Sequence, residues 1–160
     1  MDRTEQLINT YALAPHAEGG WFRESYTAPV EDGARSIAGS IYFLLCGEEV
    51  SHLHRIDCEE VWYYHEGGGL KITMIGPAGD VSCVLLGPDA TCGQRHMAVV
   101  PAGTVFGSEN IDKGSYTFVS CMTAPKFRYE GFSLVERAEL LRLCPDADET
   151  LRALAAKTQE

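Results

Sequence analysis

The 160-residue chain contains no Cys-x-x-Cys pair, no internal repeat and no low-complexity linker. Its longest apolar stretch, Ile41 to Cys46, is far too short to span a bilayer. Positive charge is scarce. Lys and Arg number 13 against 23 Asp and Glu, a net charge of −10, so a phosphate backbone or an anionic membrane would be repelled; neither is expected as a partner. The opening residues Met1 to Gln6 are polar and lead into no apolar run, so no export signal is expected. Six cysteines stand at positions 46, 58, 83, 92, 121 and 144, a spacing that matches neither a zinc finger nor a redox motif. Reduced thiols in a cytoplasmic protein are the expectation that follows.

What remains is an ordinary soluble composition, 45% hydrophobic and 22% charged, of a size suited to one domain. Leu7, Ile8 and Tyr11 share one helical face, which predicts a short helix over Thr4 to Tyr11. The stretch Pro15-His16-Ala17-Glu18-Gly19-Gly20 reads as a turn. Short β-type runs then follow: Trp21–Tyr26, Ile37–Leu45, Ser51–His54, Glu60–Tyr64, Leu70–Ile75, Val81–Leu86, Met97–Val100, Val105–Ser108 and Tyr116–Met122. Turn clusters such as Gly67-Gly68-Gly69 and Pro77-Ala78-Gly79-Asp80 separate them. Many short, evenly spaced strands predict an all-β barrel or sandwich. The tail from residue 137 to 160 turns helical, with Leu140, Leu141 and Cys144 on one face and Leu151, Leu154 and Ala155 on another. Asp148 is the expected N-cap between them.

The chemistry-bearing stretch is Ser51-His52-Leu53-His54-Arg55, followed by Glu60. Two residues apart on a regular strand, His52 and His54 would project to one face. With Glu60 from the next strand they form a His₂-carboxylate set suited to one divalent ion, Fe, Mn, Ni or Zn. Trp62 and Tyr64 should share the face of Glu60 and wall the same pocket. The residues leave a second reading open, in which the cluster is a metal-free, hydrogen-bonded pocket lining. Arg23 is a candidate anion contact through its planar fork, with Glu24 beside it, and Tyr42 a candidate stacking wall. His16, His65 and His96 are expected in surface or structural roles.

His52-x-His54, Glu60 and Gly67 resemble the first motif of the cupins, and Gly93 through Val100-Pro101-Ala102-Gly103 to Asn110 resembles the second. More specifically, the chain is similar to the Cupin_5 (DUF985) family in Pro15–Glu24, Ser40–Leu45, Ser51–Arg55, Glu60–Trp62, Val100–Gly103 and Ser120–Pro125. That resemblance implies a double-stranded β-helix, a jelly-roll barrel, with a core over about residues 15–136, and a homodimer. It also implies a cavity between Ser51–Tyr64 and Val99–Ser108. Phe106 stands where the cupin pattern supplies a fourth metal ligand, so any ion here is expected to be held weakly. Phe106 becomes a candidate ligand-facing side chain instead. Tyr63 and Lys126 also depart from the family, which commonly has His and Gly there.

Two functions follow as expectations. One is an enzyme acting on a small polar metabolite such as a sugar derivative, by metal-assisted or epimerase-like proton-transfer chemistry. His54 would be its base, Glu60 the partner of His54, and Tyr64 its acid. The other is a small-molecule sensor using the same cavity. No nucleotide cofactor is expected. The dimer is expected to form through Leu7, Ile8, Tyr11, Trp21 and Phe22.

Overall fold

In the computed structural model, which describes residues 2–157, the chain begins with helix α1, Arg3–Tyr11. Asp2 caps it by accepting from the Glu5 amide, and the Glu5 side chain returns the bond to the Asp2 amide. Strands follow in the order β1 (Ala14–Pro15), β2 (Trp21–Thr27), β3 (Gly39–Cys46), β4 (Val50–Arg55), β5 (Glu59–Gly67) and β6 (Leu70–Ile75). Next come β7 (Val81–Leu86), β8 (Met97–Val100), β9 (Val105–Asn110), β10 (Tyr116–Ala124) and β11 (Ser133–Leu134). Helices α2, Arg137–Leu143, and α3, Glu149–Leu154, close the chain, and Asp148 caps α3 at the Leu151 amide as expected. Residues 158–160 of the helical tail lie outside the described residues.

The strands form two antiparallel sheets, one ordered β1-β2-β3-β10-β5-β8 and the other β11-β4-β9-β6-β7. This is the jelly-roll barrel that the resemblance implied, where the strand pattern alone predicted an all-β barrel or sandwich. Alternation explains the layering. In β3, Phe43 and Leu45 join the core between the sheets, while Leu44 packs with the cluster beneath α1. Outside the first sheet, Leu7 is buried and the Tyr11 ring meets Tyr42 at 4.7 Å and Phe118 at 4.9 Å. Outside the second sheet, Leu53, Ile75 and Val105 pack against Val135, Leu140, Leu151 and Leu154. Both helical ends therefore cover sheet faces that would otherwise be apolar and wet.

Trp62 and Phe106 are fully buried and meet edge to face across the barrel, with Phe43 against the same indole. These three rings fill the middle of the interior. Among the described residues, a ligand-sized space lies inside the barrel at the end where β2, β3, β4, β5 and β10 converge.

Candidate active site

The site starts from an irregularity in β4. Ser51 pairs with Ser108 and His54 with Phe106, so two residues of β4, His52 and Leu53, oppose the single residue Gly107. This β-bulge breaks the alternation that would have placed His52 and His54 on one face. His54 points inward and is buried. The His52 ring turns away and lies 3.3 Å, through Nδ1, from the Leu154 carbonyl at the end of α3. The expected His52–His54–Glu60 metal set is therefore not assembled. The His52 amide, freed from the strand ladder, donates at 2.7 Å to the carbonyl of Glu18.

That bond docks the turn between β1 and β2 onto the barrel. The turn is closed by His16 N–H to Gly20 O at 2.9 Å and Gly19 N–H to His16 O at 3.1 Å. Gly19 takes φ +106°, and a side chain there would collide with the Val50 carbonyl, so glycine is required. The turn aims Glu18 into the interior, where its Oε2 lies 2.9 Å from His54 Nε2. His54 Nδ1 lies 2.6 Å from the His52 carbonyl. A ring with acceptors at both nitrogens is an imidazolium. Burial alone would push His54 down, but the Glu18 carboxylate and the His52 carbonyl outweigh it and hold the ring above the ordinary histidine range. Burial would likewise raise Glu18, and His54 outweighs it, keeping the carboxyl below its usual value. The two form a buried ion pair.

Glu60, on β5, has no such partner. Its carboxyl is buried, and burial, reinforced by the Glu18 charge, pushes its pKa up to about 7. His54, Cys121 and Trp62 oppose that shift without cancelling it. The Cys121 thiol is held protonated by its own burial and by the two carboxylates.

These groups open on a cavity of about 100 Å³. Its polar end is His16, Glu18, His54, Glu60 and Cys121, and its walls are Phe22, Ile41, Ile56 and Phe127. At the rim, Lys126 bonds Glu24 at 3.0 Å and Thr27 at 2.8 Å. The loop carrying Lys126, Phe127 and Tyr129 is anchored by Asp57, which Arg35 grips at 2.7 and 3.2 Å and Arg128 at 3.0 Å. A second hollow, of about 200 Å³, lies between β6, β7 and the C-terminal helices. Its acid Asp148 is already used as a helix cap, and none of the buried ionisable groups face it.

Of the residues singled out from sequence, His54, Glu60 and Glu24 line the cavity. The others do not. The Tyr64 hydroxyl donates to the Gly67 carbonyl at 2.7 Å and cannot act as an acid there. Trp62 and Phe106 are core, the latter tilted against the His54 ring at 4.2 Å between centroids. Tyr42 packs under α1, and Arg23 is exposed on the outer side of β2. The partner of His54 is Glu18 and not Glu60, and His54, with both nitrogens engaged, is not a free base. The segment Val99–Ser108 contributes nothing to the lining because Phe106 fills that part of the barrel. His16, expected in a surface or structural role, lines the cavity with its side chain only 7% exposed. His16 and Glu18 lay in a stretch read only as a turn. The signal that could have found them was an acid and a histidine placed directly before a glycine pair.

Among the described residues, no group of three or more His, Cys, Asp or Glu is arranged to hold a metal ion. With His52 outside and Phe106 opposite His54, the residues do not fit the cupin ion set.

The sequence matches Cupin_5, described as the cupin superfamily (DUF985), over residues 5–135. The chain belongs to the Cupin_5 family. Yeast protein YML079W of Saccharomyces cerevisiae, named as uncharacterized, is 26% identical over 159 residues, covering 86% of this chain and 78% of that protein. The crystal structure of protein SO0799 from Shewanella oneidensis superposes with a TM-score of 0.92 at 36% identity, covering 99% of this chain and all of the other. A hypothetical protein from Leishmania major gives 0.86 at 29% identity, over 98% of this chain and all of that one. An oxalate decarboxylase of Bacillus subtilis shares the fold alone, at 15% identity and a TM-score of 0.56 over 78% of this chain and 30% of that one.

Proposed function

We propose that this cupin binds a small polar molecule at the closed end of the barrel and moves a proton on it, in the manner of an isomerase or epimerase. The observation that carries this is Glu60, a buried carboxyl poised near neutrality in a cavity where the neighbouring Glu18–His54 pair fixes the surrounding charge. A carboxyl with a pKa of about 7 exchanges a proton readily in both directions at physiological pH. Glu60 thus takes the role of base and returning acid, and His54 with Glu18 orients the site. A metal-assisted route lacks support because the bulge carries His52 out of the barrel.

The test is incubation with a pool of small polar carbonyl compounds, amines and acids in D₂O, followed by mass spectrometry. Carbon-bound deuterium taken up with the wild type and lost with Glu60→Gln is the expected result. Tight binding with no label in the wild type would instead support a binding or sensor protein. We also propose a two-fold homodimer and a cytoplasmic location. Exposed Tyr63, Met97 and Val99 on the outer side of β5 and β8 support the first, and Cys58 and Cys121, packed as buried free thiols, support the second.

A further inference from the structure

We propose that the molecule bound is an uncharged α-hydroxy aldehyde or ketone, its carbonyl oxygen accepting from His16 Nε2–H and its α-carbon facing the Glu60 carboxyl. The inference rests on the proton-transfer reading above and adds to it a substrate class and a second catalytic residue. His16 Nδ1 accepts the Glu18 amide at 3.1 Å, so the neutral ring carries its proton on Nε2. None of the described residues takes that proton, and the ring lines the cavity. The His16 and Phe22 rings meet near-perpendicular, 4.4 Å between centroids, which restrains the imidazole. Burial, helped by the nearby His54 charge, outweighs Glu18 and keeps His16 below the ordinary histidine range, so it remains a neutral donor.

Charge selects against anions. Both protons of His54 are engaged by Glu18 and the His52 carbonyl, and Lys126 is engaged by Glu24 and Thr27. A carboxylate or phosphate entering the cavity would meet Glu18 and Glu60, and the cations among the described lining residues, His54 and Lys126, are already paired. Size selects a short carbon unit, because the space of about 100 Å³ is smaller than the roughly 150 Å³ that accommodates benzene. Hydroxyl groups would donate to the carboxylates, while the carbon skeleton lies against Phe22, Ile41 and Ile56.

The chemistry balances without a co-reactant. Glu60 carboxylate takes the proton from the carbon bearing the hydroxyl, and that C–H electron pair becomes the carbon–carbon double bond of an enediolate. The carbonyl π pair moves to oxygen, where His16 Nε2–H stabilises the charge. Protonated Glu60 then returns the proton, on the same face, to the neighbouring carbon, with a hydroxyl proton shifting between oxygens. The outcome is aldose–ketose isomerisation.

The experiment follows deuterium incorporation by NMR in D₂O for glyceraldehyde and dihydroxyacetone, beside glycerate and glyceraldehyde 3-phosphate, with purified full-length protein. Label is expected in the two neutral compounds only. Glu60→Gln should slow it by at least about 100-fold. His16→Phe should slow it by about 100-fold, and His16→Gln, which restores an N–H, should recover part of that loss. Thermal unfolding of each variant separates misfolding from lost chemistry. Glu60-dependent label confined to the charged compounds, or to other classes in the wider pool, overturns this substrate class and leaves the proton-transfer reading standing. No Glu60-dependent label in any compound overturns both. Full-rate exchange in folded His16→Phe overturns the role of His16.

Discussion

Glu60 is buried without a counter-ion, and its ionisation is opposed in the folded state. Its pKa of about 7 lies above the ordinary 4.5, so the folded protein holds that proton over a range in which the unfolded chain has released it. The sign follows from linkage: the contribution is fully present below about 4.5 and is lost as pH rises through about 7. The shift corresponds to about 3 kcal/mol as an order of magnitude. Glu60→Gln, which cannot ionise, should therefore become more stable relative to wild type as pH rises from 5 to 8. Denaturant melts at several pH values check this, and a difference that stays flat across the range would mean that Glu60 is already ionised at low pH. The Glu18–His54 pair behaves oppositely at its two ends. The lowered Glu18 value means that its share is lost as pH falls through that value, below 4.5, and the raised His54 value that its share is lost as pH rises through that value, above 6.5. Glu18→Gln should cost about 3 kcal/mol by leaving half of a buried pair. Glu18→Met combined with His54→Leu should recover most of that, measured as a double-mutant cycle in urea.

At the scale of elements, the site depends on the fit between one turn and one bulge. The His52 amide reaches the Glu18 carbonyl because two residues of β4 oppose one of β9. Gly19 allows the approach, since any Cβ there would strike the Val50 carbonyl from a left-handed backbone. Gly19→Ala should destabilise the protein by about 2 kcal/mol or more and shift the His54 titration, because Glu18 would move with the turn. An NMR titration of the His54 ring beside a urea melt reads both effects. A large stability loss with an unchanged His54 would mean that Glu18 is held by something other than the turn.

For the whole molecule, the covered and uncovered sheet faces are unequal. Helix α1 covers the outer side of β3 and β10, where Leu7 is 3% exposed and Phe118 4%. The side chains expected to meet a second copy are spent on this internal packing, and Phe22 lines the cavity. Farther along the same sheet none of the described residues covers Tyr63, Met97 and Val99, which are 37%, 52% and 44% exposed on an edge pair of strands. Register puts Tyr63 opposite Met97 and Val61 opposite Val99, so the apolar side chains form one patch. Met97→Glu with Val99→Lys should convert a dimer of about 35 kDa, twice the chain mass of 17.5 kDa, to monomer in light scattering. Glu60-dependent exchange should survive in that monomer. A wild type that already scatters as a monomer would remove the dimer.

Local order determined much of this protein. Alternating apolar residues specified β6, β7 and β8 with their ends as read, because period-two alternation is a property of neighbours along the chain. Turn glycines marked the connections, and Glu60 was legible as an acid on an inward-facing position beside Trp62. The short edge strands β1 and β11 were missed, since two residues carry no period. What only the tertiary structure decided is which polar groups meet. The bulge that turns His52 outward exists through pairing with β9, far away in sequence, and leaves no mark on the spacing of His52 and His54. Glu18 becomes the partner of His54 only when its turn docks on that bulge. Tyr42 is claimed by α1, and Trp62 and Phe106 by one another. Side-chain direction is local, but whether a given direction leads to core, cavity or solvent depends on which element packs against it, and that is settled only when the two sheets close.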